Sequence, residues 1–168
     1  RNFHLTFGKS IMAKEGPFAG PPELRAEDLN NMFADPNIDA IFCARGGYGA
    51  NRVLPLLNYD MIKENPKIFI GYSDITAYLT SITQKTEIIT FHGPMLVSYK
   101  HGFIDYNFDQ MMKALTRTEN IVISTPEEFD PHILKEGTAK GPLWGGNLSL
   151  VMNRLGTDGQ INTTGCIL

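Results

Sequence analysis

Apolar positions in the first 125 residues follow two rhythms. Unbroken apolar runs of a few residues suit buried strands, whereas apolar residues three and four apart mark one face of a helix. Residues 38–44 and 66–70 are runs of the first kind, and residues 3–7, 87–91 and 120–124 read as three further short strands. The helical rhythm runs through residues 24–34, where Leu29, Met32 and Phe33 share a face closed by Asp35-Pro36, and through 50–57 and 59–65. It returns with Ile75, Tyr78, Leu79 and Ile82, and again in 108–115 with Phe108, Met111, Met112 and Leu115. Strand and helix thus alternate, the order expected of a doubly wound α/β sheet with largely parallel strands.

From Thr125 the rhythm breaks. Pro126, Pro131, Gly137, Gly141 and Pro142 interrupt any long element and leave one short strand at 133–135. Leu148, Val151, Met152 and Leu155 then form a helical face stopped by Gly156, and residues 165–168 read as a strand that has just begun. The expected layout is an α/β domain over 1–125, a linker over 126–140 and the start of a smaller C-terminal domain over 141–168. The first residue is Arg1 and the last run is cut short, so the chain reads as a fragment of a longer protein.

Composition narrows this picture by exclusion. A hydrophobic share of 42% and a charged share of 20% are those of a soluble globular protein, with no apolar run long enough to span a membrane. A net charge of -3 argues against a nucleic-acid partner, which requires a basic face. Cys43 and Cys166 sit in apolar runs outside any C-x-x-C pair and read as reduced core residues of a cytosolic protein. His4, His92, His101 and His132 are scattered and no H-E-x-x-H is present, which argues against bound zinc; no metal and no other cofactor is expected.

Ligands of open α/β sheets bind at the carboxyl ends of the strands, and two glycine-rich turns satisfy that rule. Gly71-Tyr72-Ser73-Asp74-Ile75-Thr76 lies between a strand and a helix, the setting of a nucleophile elbow. Such a turn pushes the serine hydroxyl outward and aims the N–H of the next residue, here Asp74, at the place where an oxyanion forms. Ile75 stands where the usual G-x-S-x-G pattern has its second glycine, and a plain helix cap is the alternative role for Ser73. Arg45-Gly46-Gly47-Tyr48-Gly49 leaves backbone N–H groups free for a phosphate or an oxyanion, unless its glycines only form a tight turn. It lacks the Lys-Ser/Thr ending of a P-loop and is not G-x-G-x-x-G. A nucleophilic serine needs a base, normally a histidine oriented by a carboxylate. His92 ends a strand near the same edge, His101 and His132 fall in loops, and none of them completes a triad on this chain alone.

The order of motifs adds a second line of argument. Residues 25–33 (R-A-E-D-L-N-N-M-F), Asp39-Ala40-Ile41, Arg45-Gly46-Gly47-Tyr48-Gly49, Gly71-Tyr72-Ser73-Asp74, His92-Gly93-Pro94-Met95 and Gly145-Gly146-Asn147-Leu148 follow one another. Together they resemble the LD-carboxypeptidases, the serine peptidase family of the muramoyl-tetrapeptide carboxypeptidases and the microcin C self-immunity peptidases, from about Phe18 to the end of the chain. The resemblance implies a flavodoxin-like N-terminal α/β domain carrying the nucleophile and a C-terminal domain carrying a glutamate and a histidine. It makes Ser73 the nucleophile and the backbone N–H groups of Gly47 and Asp74 the oxyanion hole. Arg45 and Gly46, in the same loop, are expected to touch substrate. It places the glutamate and histidine beyond Leu168, and the family's first strand and helix ahead of Phe3, so these 168 residues alone are expected to be inactive.

The implied reaction is hydrolysis of an L,D-peptide bond, releasing terminal D-Ala from a murein tetrapeptide during cytoplasmic peptidoglycan recycling. The implied partner is that small peptide, with no nucleic acid and no membrane, and with a homodimer as an open assembly. Members that resemble the microcin immunity peptidases instead cut an amide next to an aminoacyl-nucleotide analogue and stack an aromatic residue on its base. Trp144 is the candidate for that part, its alternative role being a hydrophobic anchor between domains. A non-catalytic α/β module that holds an anion at residues 45–49 is the competing class.

Overall fold

The computed structural model describes residues 3–102, 104–117, 119–123, 125–126 and 128–168. Helix α1 spans Pro22–Ala34, with proline at its first position, where a missing N–H costs no helical hydrogen bond. Strand β1 (Ala40–Phe42), helix α2 (Tyr59–Glu64), strand β2 (Ile68–Gly71), helix α3 (Thr76–Thr86) and strand β3 (Phe91–His92) follow. The strands form a parallel sheet in the order β1-β2-β3, with Ile41 beside Phe69 and Ile70 beside Phe91. Helices α2 and α3 connect successive neighbours of the sheet and pack on one face of it. There α3 packs on α2, and α2 on α1. The result is an α/β fold built on a parallel sheet.

The core lies between that helical layer and the sheet. Phe69 of β2 stacks on Phe33 of α1, with ring centroids 5.9 Å apart, and meets Tyr78 of α3 edge-on at 6.3 Å. Val53, Ile62, Ala77 and Ile82 are buried in the same cluster. Ile75, Tyr78, Leu79 and Ile82, the face expected from spacing, are all buried. Each such side chain contributes roughly 1.5–3 kcal/mol on burial, so this face holds the start of α3 against the end of β2.

Several elements depart from the pattern. Residues 3–7 form no strand; Phe3, Leu5 and Phe7 are exposed and pair with no strand among the described residues. Residues 50–57 form two 3-10 turns, Ala50–Arg52 and Leu54–Leu56, in place of one helix, because Pro55 has no N–H to continue it. Strand β3 starts at Phe91 and not at 87, since Glu87 takes the left-handed conformation (φ 65°) that ends α3. Residues 120–123 form no strand and expose Val122 and Ile123, while Ser124 lies outside the described residues. No strand forms at 133–135, where Ile133 and Leu134 face solvent.

Helix α4 (Asp105–Thr116) covers the expected 108–115 and buries Met111. Helix α5 is short (Leu148–Asn153) and turns a different side inward than the spacing implies. Leu150 packs on the core and Arg154 is buried, whereas Leu148, Met152 and Leu155 are exposed. Near the end, Ile167 pairs in parallel with Leu143. Cys43 packs against the core, where burial pushes its thiol up to about 12. Cys166, expected in the core, instead lies in a turn with its thiol directed at the carbonyls of Asn162 and Thr164. Among the described residues no helix is long and apolar enough to cross a membrane.

Candidate active site

The central strand ends in a strained serine. After Gly71 the chain stays extended at Tyr72 (φ −149°, ψ −175°) and then swings to φ 61° at Ser73, before a 3-10 turn (Ser73–Ile75) leads into α3. A non-glycine residue at positive φ costs on the order of 1–3 kcal/mol and persists only where its surroundings impose it. Here the buried face of α3 imposes it from one side and β2 from the other. Gly71 is needed because the turn folds Ile75 back over it; an added Cβ would lie 2.7 Å from Ile75 Cγ2. Ile75 thereby fills the place that a second glycine holds in the usual elbow pattern. Neither the 3-10 turn nor α3 receives a side-chain cap, and Ser73 Oγ makes no hydrogen bond among the described residues. Ser73 is therefore not a helix cap; it is half-buried with its hydroxyl uncommitted.

The loop after β1 faces that serine. A Cβ on Gly46 would lie 3.0 Å from Ser73 Cβ, 3.2 Å from Ser73 Oγ and 3.5 Å from the backbone nitrogen of Asp74. Gly47 adopts φ 122° and Gly49 φ 93°, conformations open to glycine and strained for other residues. The N–H groups of Gly47 and Asp74 donate to no acceptor among the described residues. The side chain of Asp74 turns the other way, is buried, and accepts the N–H of Ala50 at 2.9 Å through Oδ2. Arg45 is exposed, with no ion pair among the described residues.

A third loop closes the same edge. The N–H of Gly93 donates to Gly71 O at 3.1 Å, and the N–H of Val97 crosses to Ala44 O at 3.0 Å, so the segment after β3 spans the ends of all three strands. His92 stacks on Tyr72 at a centroid separation of 6.4 Å, and partial burial holds its imidazole below the ordinary value of 6.5. No hydrogen bond joins His92 to Ser73, and His101 and His132 are solvent-exposed. Among the described residues no three His, Cys, Asp or Glu side chains gather as metal ligands would.

The segment around Trp144 reaches the back of the elbow. The backbone N–H of Trp144 donates to Ile167 O at 2.9 Å, and the residue is half-buried. Two residues on, Gly146 (φ 142°) packs so closely on Thr76 that a Cβ there would lie 2.6 Å from Thr76 Oγ1. The N–H of Asn147 donates to the same hydroxyl at 2.9 Å.

Residue patterns gave no notice of three participants. These are the Asp74 carboxylate, Thr76, and Phe18, whose ring packs on Gly49 and Tyr48 beneath the Arg52 guanidinium. Each acts across 24 or more residues of chain, beyond the reach of periodicity.

Known proteins resemble this chain in sequence and in fold. Residues 1–93 match the LD-carboxypeptidase N-terminal domain. A probable murein peptide carboxypeptidase of Bacillus subtilis is 38% identical over 169 residues, covering 98% of this chain and 51% of that protein. The murein tetrapeptide carboxypeptidase of Pseudomonas aeruginosa is 30% identical, covering 96% and 53%. The microcin C7 self-immunity protein MccF of Escherichia coli is 38% identical over 123 residues, covering 71% and 36%. A solved structure of MccF in complex with aspartyl sulfamoyl adenosine superposes with a TM-score of 0.83 at 31% identity, covering 96% of this chain and 56% of that one. The chain spans about half the length of the curated carboxypeptidases it matches. With the family domain matched over more than half its residues and its sheet, elbow and glycine loop in place, the chain belongs to the LD-carboxypeptidase family of peptidases.

Proposed function

We propose that this chain carries the nucleophile of a serine-type LD-carboxypeptidase that releases terminal D-Ala from a murein tetrapeptide in cytoplasmic peptidoglycan recycling. One observation carries the reading: Ser73 is held at φ 61° at the end of the central strand, its hydroxyl uncommitted, facing a glycine loop. Ser73 Oγ attacks the carbonyl carbon of the L,D bond and its proton passes to a general base. The N–H groups of Gly47 and Asp74 receive the oxyanion. Donors fixed in advance stabilise developing charge without reorganising, and one such donor is worth roughly 10²–10³ in kcat. Collapse of the tetrahedral species breaks the C–N bond, the amine of D-Ala takes the proton, and water then hydrolyses the acyl ester. Ser73 Oγ meets no base among the described residues, and the reading draws the base, a histidine oriented by a glutamate, from outside these 168 residues.

The likeness to MccF supports a second reading, in which the bond cut is an amide beside an aminoacyl nucleotide and Trp144 stacks on the base. One experiment decides between them. The full-length protein is offered a murein tetrapeptide and an aminoacyl sulfamoyl adenosine side by side, with and without Ser73→Ala. Release of D-Ala that disappears in the variant is the expected result. Turnover of the nucleotide substrate alone selects the second reading, and undiminished release by Ser73→Ala overturns both.

A further inference from the structure

We propose that the side chain of Asp74 is a positioning residue, anchoring the loop whose Gly47 N–H forms half of the oxyanion hole. The inference rests on the nucleophile reading above and extends it to a side chain that the reading does not use. The loop begins on firm ground, because the N–H of Cys43 donates to Ile70 O at 3.1 Å and the N–H of Val97 to Ala44 O at 3.0 Å. Between these bonds and Gly49, residues 45–48 make no backbone hydrogen bond among the described residues. Three of the five residues from 45 to 49 are glycines, two of them at positive φ, so the backbone does little to restrict its own path.

The far end, where the N–H of Arg52 turns back to Gly49 O at 3.2 Å and the Phe18 ring packs on Gly49, is tied to the rest of the fold by two polar side chains. The guanidinium of Arg25 donates to Gly49 O at 3.4 Å, a long contact. Asp74 Oδ2 accepts the N–H of Ala50 at 2.9 Å, in a buried setting where a carboxylate's hydrogen bond is strong and its loss leaves an orphaned amide. No Lys or Arg forms an ion pair with Asp74 among the described residues, so the Ala50 amide is the polar partner the structure gives this carboxylate.

Asp74 thus touches the oxyanion site twice. Its backbone N–H is one donor, and its side chain sets the position of the loop that bears the other. The two donors are referenced to a single residue, whose own placement follows from Ser73 and the start of α3. This arrangement converts a glycine-rich, loosely tethered loop into a fixed electrostatic partner of the elbow.

The test uses the full-length protein with Asp74→Ala, Asp74→Asn and Ser73→Ala, read by kcat, KM, thermal unfolding and amide hydrogen exchange over residues 45–50. Asp74→Ala is expected to lower kcat at least about tenfold while KM stays within about threefold. Exchange within 45–50 should quicken at the Ala50 amide, the one whose acceptor is removed, while that of α3 stays unchanged. Asn, whose side-chain oxygen still accepts from Ala50, should restore most of kcat. If the alanine variant does not fold, Asp74→Glu, which pushes the carboxylate one methylene too far, takes its place with the same expectation. Wild-type kcat in a folded Ala or Glu variant overturns the proposal, as does a loss of kcat without faster exchange at 45–50, or an Asn variant as poor as Ala. Ser73→Ala separates the levels: undiminished turnover there overturns the nucleophile reading itself, whereas turnover lost there but kept in Asp74→Ala overturns the loop anchor alone.

Discussion

At the scale of single residues, the site is governed by how little room surrounds Ser73. Gly46 has no side chain because a Cβ would press on Ser73 at 3.0 Å from its Cβ and 3.2 Å from its Oγ. Such contacts force the neighbour to give by a few tenths of an ångström, and Ser73 is already at a strained φ of 61°. Gly46→Ala is therefore expected to leave the fold intact and to lower kcat by about 10–100-fold through displacement of the hydroxyl. Gly137→Ala is the control, since nothing lies within 4 Å of a Cβ there and turnover should be unchanged. Steady-state assay of both variants in the full-length protein, beside their thermal melts, checks this; equal kcat in the two would refute the steric account.

At the scale of elements, what was legible was what is local. The buried face of α3 follows from Ile75, Tyr78, Leu79 and Ile82 alone, and the elbow follows from a strand, a serine and a helix in succession. Pro55 is equally local and outweighs the helical spacing around it. The inward side of α5 was not legible, because partners far along the chain decide it. Arg154 is buried and donates to Ala77 O at 3.0 Å, Thr80 Oγ1 at 2.8 Å and Ser81 Oγ at 2.7 Å, all on α3. No carboxylate pairs with it among the described residues. The helix therefore rotates to deliver Leu150 and, just past its end, Arg154, leaving Leu148, Met152 and Leu155 of the side that spacing favours in solvent. Hydrogen bonds from a charged donor are worth about 1.5–3 kcal/mol each, partly offset by the cost of burying the cation. Arg154→Met should thus destabilise the protein by about 2 kcal/mol and lower Tm by about 4–8 °C. An unchanged melting temperature would mean that α5 is held by Leu150 and the Asn147 backbone alone.

At the scale of the molecule, two well-anchored parts are joined by a weakly anchored stretch. Residues 141–168 dock on the α/β body through Asn147 at Thr76, Arg154 at Ala77, Thr80 and Ser81, the amide of Asn51 at Asn153, and that of Gln84 at Gln160 O. Among the described residues from 119 to 140, by contrast, the backbone hydrogen bond is that of Phe129 N–H to Pro126 O, and residues 131–140 are exposed throughout. Proteases cut where exposed backbone opens cheaply, and they spare segments whose hydrogen bonds are buried. Brief digestion of the full-length protein with trypsin should therefore nick first after Lys135 or Lys140, both exposed, before any cut within α1, α2 or α3. The bonds to α3 do not depend on the covalent link, so the pieces on either side of the nick should co-elute on size exclusion and part only in denaturant. Separation without denaturant would show that the elbow's rear support, from Gly146 to Arg154, holds only while the chain is intact. Turnover measured on the nicked, associated protein then reads whether that support is enough to keep Ser73 in register.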